Sequence, residues 1–305
     1  LCRRTRIWSG KSFSAVDGWV VTVDNLVIRW IHPPRRYRLS VDELSARRAR
    51  CFGSVSARYA QHRPDYPDEV VAWALAPLPS STQALDLGAG TGKLTEAMLR
   101  CGISQTAVLA VEPDGDMRAQ LSRVLPEVDV RSGTAEQIPV ADGAVDAVLV
   151  GQAFHWFDVD QALGEIARVL RPGGVLAALG NTEDDSVDWV ADLTAAAQVQ
   201  RSTGTAGRGF ADVPEHPAFD RPQLREFRWS WPRTIDSLLD TVSTHSWAVT
   251  SPPDQRDASF AAIRRFLETH PSTCGGSFEL PMQTLVLRTT RRACRQGSWK
   301  VLKHP

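Results

Sequence analysis

Between residues 67 and 180 the chain switches repeatedly between two rhythms of apolar and polar positions. Short, mostly apolar runs alternate with longer stretches carrying an apolar residue every three or four places. The first kind suits strands buried on both faces, the second amphipathic helices. The runs are Gln83–Leu87, Ala107–Glu112, Val145–Val150 and Val175–Leu179, while Val128–Ser132 alternates as an edge or one-sided strand does. Helices are predicted over 67–76, from Lys93 through Leu94, Met98 and Leu99, around Met117 and Leu121, and from Val159 to Leu170. Arg171-Pro172-Gly173-Gly174 should stop the last of these before the fifth strand. Five alternations of strand and helix require a parallel sheet with helices on both faces.

Outside that stretch the rhythm changes. A helix near 186–201, a Gly/Ser/Thr-rich loop over 202–209, a strand at Phe227–Trp231, helices over about 234–246 and 254–269, and a last strand at Phe278–Leu287 are expected. Upstream, Trp19–Val23 and Leu26–Ile31 flank Asp24-Asn25 and would suit a hairpin. Ser40-Val41-Asp42-Glu43 reads as a capping box opening a helix. The organisation that follows is an extension over 1–40, one domain over 41–290, and a loose basic tail over 291–305.

The densest chemistry lies at Asp86-Leu87-Gly88-Ala89-Gly90-Thr91-Gly92, a glycine turn between a buried strand and a helix. Glycines at 88, 90 and 92 keep side chains away from a ligand and let the backbone turn sharply, with amide N–H groups expected to point above the strand end. A dinucleotide fingerprint needs its third glycine at position 93, where Lys93 stands. The carboxylate of Asp86, two places ahead of Gly88, suits a ligand with a cationic amino-acid end and no phosphate, such as an ammonium or a sulfonium. A turn that merely joins strand to helix is the alternative.

Bulk numbers narrow the class. The 305 residues are 43% hydrophobic and 23% charged, an ordinary globular composition without an apolar run long enough for a membrane span. The start, Leu1–Arg6, is basic with no apolar stretch behind it, and the five cysteines show neither paired nor C-x-x-C spacing. A cytoplasmic location without metal or disulfide framework is therefore expected. The 35 basic and 35 acidic residues are unevenly spread. Residues 1–50 hold 11 basic and 4 acidic ones and 288–305 hold 6 and none, leaving 18 and 31 in 51–287, a net of −13. An acidic body grips phosphate backbones poorly, which disfavours nucleic acid as a partner.

The Asp-x-Gly-x-Gly-x-Gly turn resembles that of the class I S-adenosylmethionine-dependent methyltransferases. Other landmarks keep the family's order across roughly 41–290. Phe52…Tyr59-x-x-x-Arg63-Pro64-x-Tyr66-Pro67 and Gln152-x-Phe154-His155-Trp156-Phe157 resemble the type 11 group, including small-molecule enzymes like trans-aconitate methyltransferase. The resemblance implies a Rossmann-like, doubly wound seven-stranded sheet, mostly parallel with one antiparallel strand, under a helical substrate cap over 202–277. It implies S-adenosylmethionine as co-substrate, held by Asp86, Gly88, Ala89, Gly90 and Gly92. Glu112, twenty residues past Gly92, would accept hydrogen bonds from the ribose hydroxyls. Pro113 follows it, and Met117 is either flooring for adenine or a core methionine. Thr134, Ala135 and Glu136 lie in the turn that meets adenine in the family. Gln152, Ala153 and His155 stand where the fourth strand ends beside the first, the usual ligand-binding point of a doubly wound sheet. Tyr59 would cover the cofactor as a lid.

The implied chemistry is displacement at the sulfonium methyl by an oxygen, nitrogen or carbon of a small molecule, with alignment as the protein's main contribution. Arg63 would orient an acceptor carboxylate; His155 is either a proton acceptor or a pocket wall. Trp229, Trp231, His245 and Trp247 are candidate acceptor contacts or core. An RNA or protein methyltransferase and a non-catalytic cofactor-binding protein remain as alternatives, with a nicotinamide dehydrogenase last.

Overall fold

The computed structural model describes residues 63–196, 216–245, 248 and 251–293, together with three two-residue strands near the start of the chain. The chain forms two compact units, Leu1–Ala49 and Arg50–Pro305. In the first, Trp19–Val20 pairs antiparallel with both Ala15–Val16 and Arg29–Trp30. The capping box at 40–43, Tyr59, the loop at 202–209 and Trp247 lie outside the described residues.

The second unit is built on one seven-stranded sheet. Its strands are β1 (Ala84–Leu87), β2 (Val108–Val111), β3 (Asp129–Arg131), β4 (Val145–Gly151), β5 (Leu170–Glu183), β6 (Gln223–Thr234) and β7 (Ser277–Thr290). They lie in the order β3-β2-β1-β4-β5-β7-β6, and β7 runs antiparallel to both its neighbours while the rest are parallel. That is the doubly wound sheet with one antiparallel member that the alternation and the resemblance imply. The order reverses between β1 and β4, so the crevice at their carboxyl ends is where a ligand fits.

Side-chain alternation along the central strands feeds two cores. Ala84, Ala147, Leu149, Val175, Ala177 and Leu179 join one cluster with Val70, Leu94 and Met98. Leu85, Leu87, Val148, Val150, Leu176 and Ala178 join the other with Leu163 and Ile166. The helices covering these faces include α1 (Asp68–Leu75), α2 (Lys93–Arg100), α3 (Gly115–Val124) and α4 (Val159–Val169). Both faces are dry, as a parallel sheet requires.

Two expectations need correction. The fifth strand starts at Leu170, straight off α4, rather than after Gly174. Leu170 is already extended (ψ 143°), so no glycine ends the helix. Arg171–Gly174 instead bulge out of the ladder, since Val145 pairs with Leu170 but Ala147 with Val175. The bulge is held by Asp146, whose carboxylate accepts from Arg171 Nη1 at 2.6 Å and from the Gln83 amide at 2.8 Å. The last two strands are also longer than their apolar cores, because they pair with each other over 12 positions and overhang β5. On the overhang, α5 (Asp188–Ala196), α6 (Ile235–Ser243) and α7 (Pro253–Thr269) close a third cluster around Leu239, Ile263, Leu267 and Phe278. Among the described residues no helix is long and apolar enough to cross a membrane.

The loop from β3 to β4 is fastened to α4 by one arginine. Arg168 makes a two-pronged pair with Glu165 (2.7 Å on each arm) and donates to the carbonyls of Ile138 (2.9 Å) and Val140 (2.7 Å). Glu165 in turn accepts from the Ile138 amide at 2.9 Å, and the guanidinium holds its carboxyl below the usual range. Arg168→Met should cost about 1–3 kcal/mol in urea unfolding, as loss of charge-assisted bonds to half-buried carbonyls does. Arg168→Lys should recover little of it, because a point charge cannot span both carbonyls and the carboxylate.

Candidate functional site

The glycine turn is as strained as its composition suggests. Gly88, Gly90 and Gly92 take φ of +73°, +56° and +95°. A Cβ on Gly88 would lie 2.7 Å from Ala153 Cβ, and one on Gly92 3.0 Å from Leu121 Cγ. The turn therefore closes against the end of β4 on one side and α3 on the other. Four of its five amides, however, do not point outward as expected. Gly88 and Ala89 donate to the Val111 carbonyl (2.8 and 3.1 Å), Gly90 to Glu112 Oε2 (2.8 Å) and Gly92 to the Ala89 carbonyl (2.9 Å). What the turn offers a ligand is bare Cα surface.

Two carboxylates are buried beneath it. Asp86 is fully buried on β1; Thr95 of α2 donates to its Oδ2 at 2.6 Å, and Oδ1 has no partner. Burial, with Glu112 adding like charge, pushes the Asp86 carboxyl up to about 7 despite the Thr95 bond. Glu112, just past β2, accepts the Gly90 amide on one oxygen and the Asp114 amide (2.9 Å) on the other. Burial raises it as well, against those two amide bonds.

An open cleft above the turn holds about 490 Å³ of empty space including its mouth. It is lined by Asp86, Gly88, Ala89, Gly90, Gly151 and Gln152, and by Arg63, Pro64, Tyr66, Thr91, Lys93 and Leu94. Of the latter six, the sequence singled out only Arg63 as a site residue. Thr91 and Thr95 stand five and nine residues past Asp86, in the turn and on the first turns of α2, and supply the hydroxyls nearest to it. Thr91 Oγ1 is itself buried without a partner.

The remaining candidates fall around this cleft unevenly. Gln152 takes φ +55°, alone among described non-glycine residues, with its amide on the Leu179 carbonyl (2.9 Å) and Nε2 on the Asn181 carbonyl (2.7 Å). Ala153 packs on Gly88. Met117 is buried, its Sδ 3.8 Å from where a Gly90 Cβ would sit, and Pro113 is exposed. Ala135 is core, Thr134 is exposed, and Glu136 Oε1 accepts the Asp158 amide at 2.9 Å, tying the β3–β4 loop to the segment after β4. His155 and Trp156 are both exposed, their rings 4.4 Å apart, and neither lines the cleft. Arg63 lines it while Nη2 donates to the Thr244 carbonyl at 3.2 Å, just past α6. Trp229 and Trp231 pack against the third cluster, and His245 is half-buried. Among the described residues no group of His, Cys, Asp or Glu is arranged to hold a metal ion.

A family model for a methyltransferase domain matches residues 85–178. An uncharacterized methyltransferase of Mycobacterium tuberculosis H37Rv is 38% identical over 240 residues, 78% of this chain and 95% of that protein. One from Schizosaccharomyces pombe is 31% identical over 73% of this chain and 89% of its own length. Among solved structures, a candidate type II methyltransferase of Anaeromyxobacter dehalogenans superposes with a TM-score of 0.54 at 25% identity, covering 75% of this chain and 97% of that one. The chain belongs to the class I S-adenosylmethionine-dependent methyltransferases.

The cleft of this methyltransferase fits that co-substrate. Asp86 Oδ1 and Thr91 Oγ1 are buried acceptors without protein partners, and a cationic ligand relieves what their desolvation costs. A Cβ at Gly88 would need Ala153 to move, so the bare backbone there is built in.

A carboxyl raised in the folded state keeps its proton longer folded than unfolded, so folding stability falls as pH climbs from about 4 towards about 7. In the ligand-free protein, thermal unfolding from about pH 5 to about pH 8 should show that fall. Asp86→Asn should flatten most of it, with Glu112 supplying the rest in the same direction. A cationic ligand favours the ionised form, so titration near pH 7 in buffers of different ionisation enthalpy should show proton release with wild type and much less with Asp86→Asn.

Proposed function

We propose that this methyltransferase transfers the methyl group to an oxygen, nitrogen or carbon atom of a small molecule, with a carboxylate-bearing acceptor as the favoured class. The observation that carries the reading is the composition of the cleft: unpartnered buried acceptors at its floor and a guanidinium, Arg63, on its wall. Acceptors at the floor suit the cationic end of the co-substrate, and the arginine suits an anionic acceptor.

Bound S-adenosylmethionine supplies an electrophilic methyl; the acceptor atom bonds to it as the carbon–sulfur bond breaks, and S-adenosylhomocysteine leaves. The residues contribute binding, alignment and exclusion of water. Asp86, Gly88, Gly90 and Glu112 hold the nucleoside and its amino-acid end, and Gln152 borders the acceptor side. Arg63 orients the acceptor carboxylate, which needs no base because it is ionised at neutral pH. His155, exposed and off the cleft lining, is not assigned a proton-transfer step.

Incubation with methyl-labelled co-substrate and fractionated metabolite, RNA and protein pools tests the reading. Label should appear in a small molecule carrying a carboxyl group; label confined to RNA or protein would overturn it. With that acceptor, Arg63→Gln should raise KM roughly tenfold to a hundredfold, the range for loss of a charge-assisted hydrogen bond, and leave affinity for S-adenosylhomocysteine nearly unchanged.

A further inference from the structure

A buried chain of hydrogen bonds runs from the cap strand to the cleft wall through residues that touch neither the glycine turn nor its acids. Trp229 Nε1 on β6 donates to Thr284 Oγ1 at 3.0 Å, and Thr284 Oγ1 donates to Asn181 Oδ1 at 2.6 Å. Asn181 Nδ2 donates to the Asp65 carbonyl at 3.1 Å, and the Asn181 carbonyl accepts from Gln152 Nε2 at 2.7 Å. Thr284 is completely buried and Asn181 nearly so. The two face each other across β5 and β7.

The directions of the bonds are set from both ends. An indole can only donate, so the Thr284 oxygen accepts from Trp229 and keeps its own proton to give to Asn181 Oδ1. The Asp65 carbonyl can only accept, so the Asn181 NH₂ faces it and the Asn181 oxygen faces Thr284; the reversed amide would set two acceptors against each other at Asp65. The amide that holds the Asp65 carbonyl is thus also braced from the cap strand, through Thr284 and Trp229.

Asp65 lies inside a segment whose other residues, Arg63, Pro64 and Tyr66, line the cleft. Tyr66 is held closely against the end of β4: a Cβ on Gly151 would fall 2.6 Å from the Tyr66 hydroxyl. Gln152, pinned to the Asn181 carbonyl, carries the positive φ at the same strand end. A strained backbone persists only where its surroundings over-determine it.

We infer that Asn181 is a positioning residue for the co-substrate cleft, braced by the Trp229–Thr284 relay and acting by holding segment 63–66 against the end of β4. The inference rests on the reading of the cleft as the co-substrate site. The relay joins the strand that carries the cap helices to the wall of the cleft, so it links the two in energy as well as in space.

The test compares full-length wild type with Asn181→Asp, Thr284→Val, Thr284→Ser, Trp229→Phe and, as a control, Thr289→Val. Asn181→Asp keeps the size and the acceptor for Thr284 while removing the amide donor to Asp65, and it adds a carboxyl that Thr284→Val and Trp229→Phe do not; Thr284→Ser keeps the hydroxyl. Thr289 is a buried threonine of the same strand that donates to the Asp220 carbonyl at 2.7 Å, away from the cleft lining. Titration with S-adenosylhomocysteine should show affinity falling roughly tenfold in Asn181→Asp and Thr284→Val, the scale of a buried carbonyl left unpaired. Deuterium uptake over 63–66 should rise in the same two, by less in Trp229→Phe, and not in Thr284→Ser. Thr289→Val should lower the melting temperature without either effect. Unchanged affinity and uptake in Asn181→Asp would overturn the assignment, as would equal losses in Thr289→Val. Should Thr284→Val fail to fold, Asn181→Asp and Trp229→Phe carry the comparison. A wild type that bound no S-adenosylhomocysteine would refute the co-substrate reading, while the uptake measurements would still decide the relay.

Discussion

Two carboxylates buried under one five-residue turn are the constraint that the site is built around. Removing negative charge from water is costly unless the charge is paired or hydrogen-bonded. Glu112 meets that requirement with two backbone amides, one of which, from Gly90, belongs to the turn itself. Its ionised form therefore also fixes the turn's shape. Asp86 is held by Thr95 alone, through its hydroxyl and more weakly its backbone amide, and its other oxygen is left to whatever enters the cleft. Strand, turn and helix are in this way arranged around an incomplete solvation shell. Both carboxyls being pushed up is the electrostatic mark of that incompleteness, and a perturbed acid in a cleft is where function is expected.

The sheet was legible because its information is local. A short, mostly apolar run has few interpretations once a glycine turn and an amphipathic stretch follow it, and β1, β2, β4 and the helices between them lie where those patterns put them. Proline and two glycines after α4 looked like a helix stop, since a bulge inside a strand and a turn after a helix use the same residues. What decided between them was Asp146, whose carboxylate ties Arg171 back across β4. That contact spans 25 residues, beyond any local pattern.

Legibility of the site follows the same division. Asp86, the three glycines and Glu112 are recognisable by type and spacing, and the structure gathers them at one strand end. Thr91 and Asn181 are not, because a threonine or an asparagine acquires its role from a distant partner. Asn181 meets Thr284 across 103 residues and Asp65 across 116. His155 shows the converse. Its place after β4 drew attention to it, yet in a short 3-10 turn successive side chains diverge, and Phe154 takes the buried direction while His155 stays outside.

The disposition of the turn's amides also explains in physical terms why the glycine spacing selects against a pyrophosphate. A phosphate-binding turn must leave several N–H groups free at a helix N-terminus. Here those of Gly88, Ala89, Gly90 and Gly92 are taken up by Val111, Glu112 and Ala89. Gly92, which ends the turn, packs against Leu121 with φ +95°, closing the loop a residue before a dinucleotide fold would place its last glycine. With those four donors taken up and two acids beneath, a phosphate over Gly88–Gly90 would meet repulsion with few compensating hydrogen bonds from the turn. A cation with a sugar diol meets the opposite: an unpartnered carboxylate oxygen for its charge and a second acid with lone pairs to spare. Selection between the two ligand classes therefore lies less in the number of glycines than in where the backbone donors have already been spent.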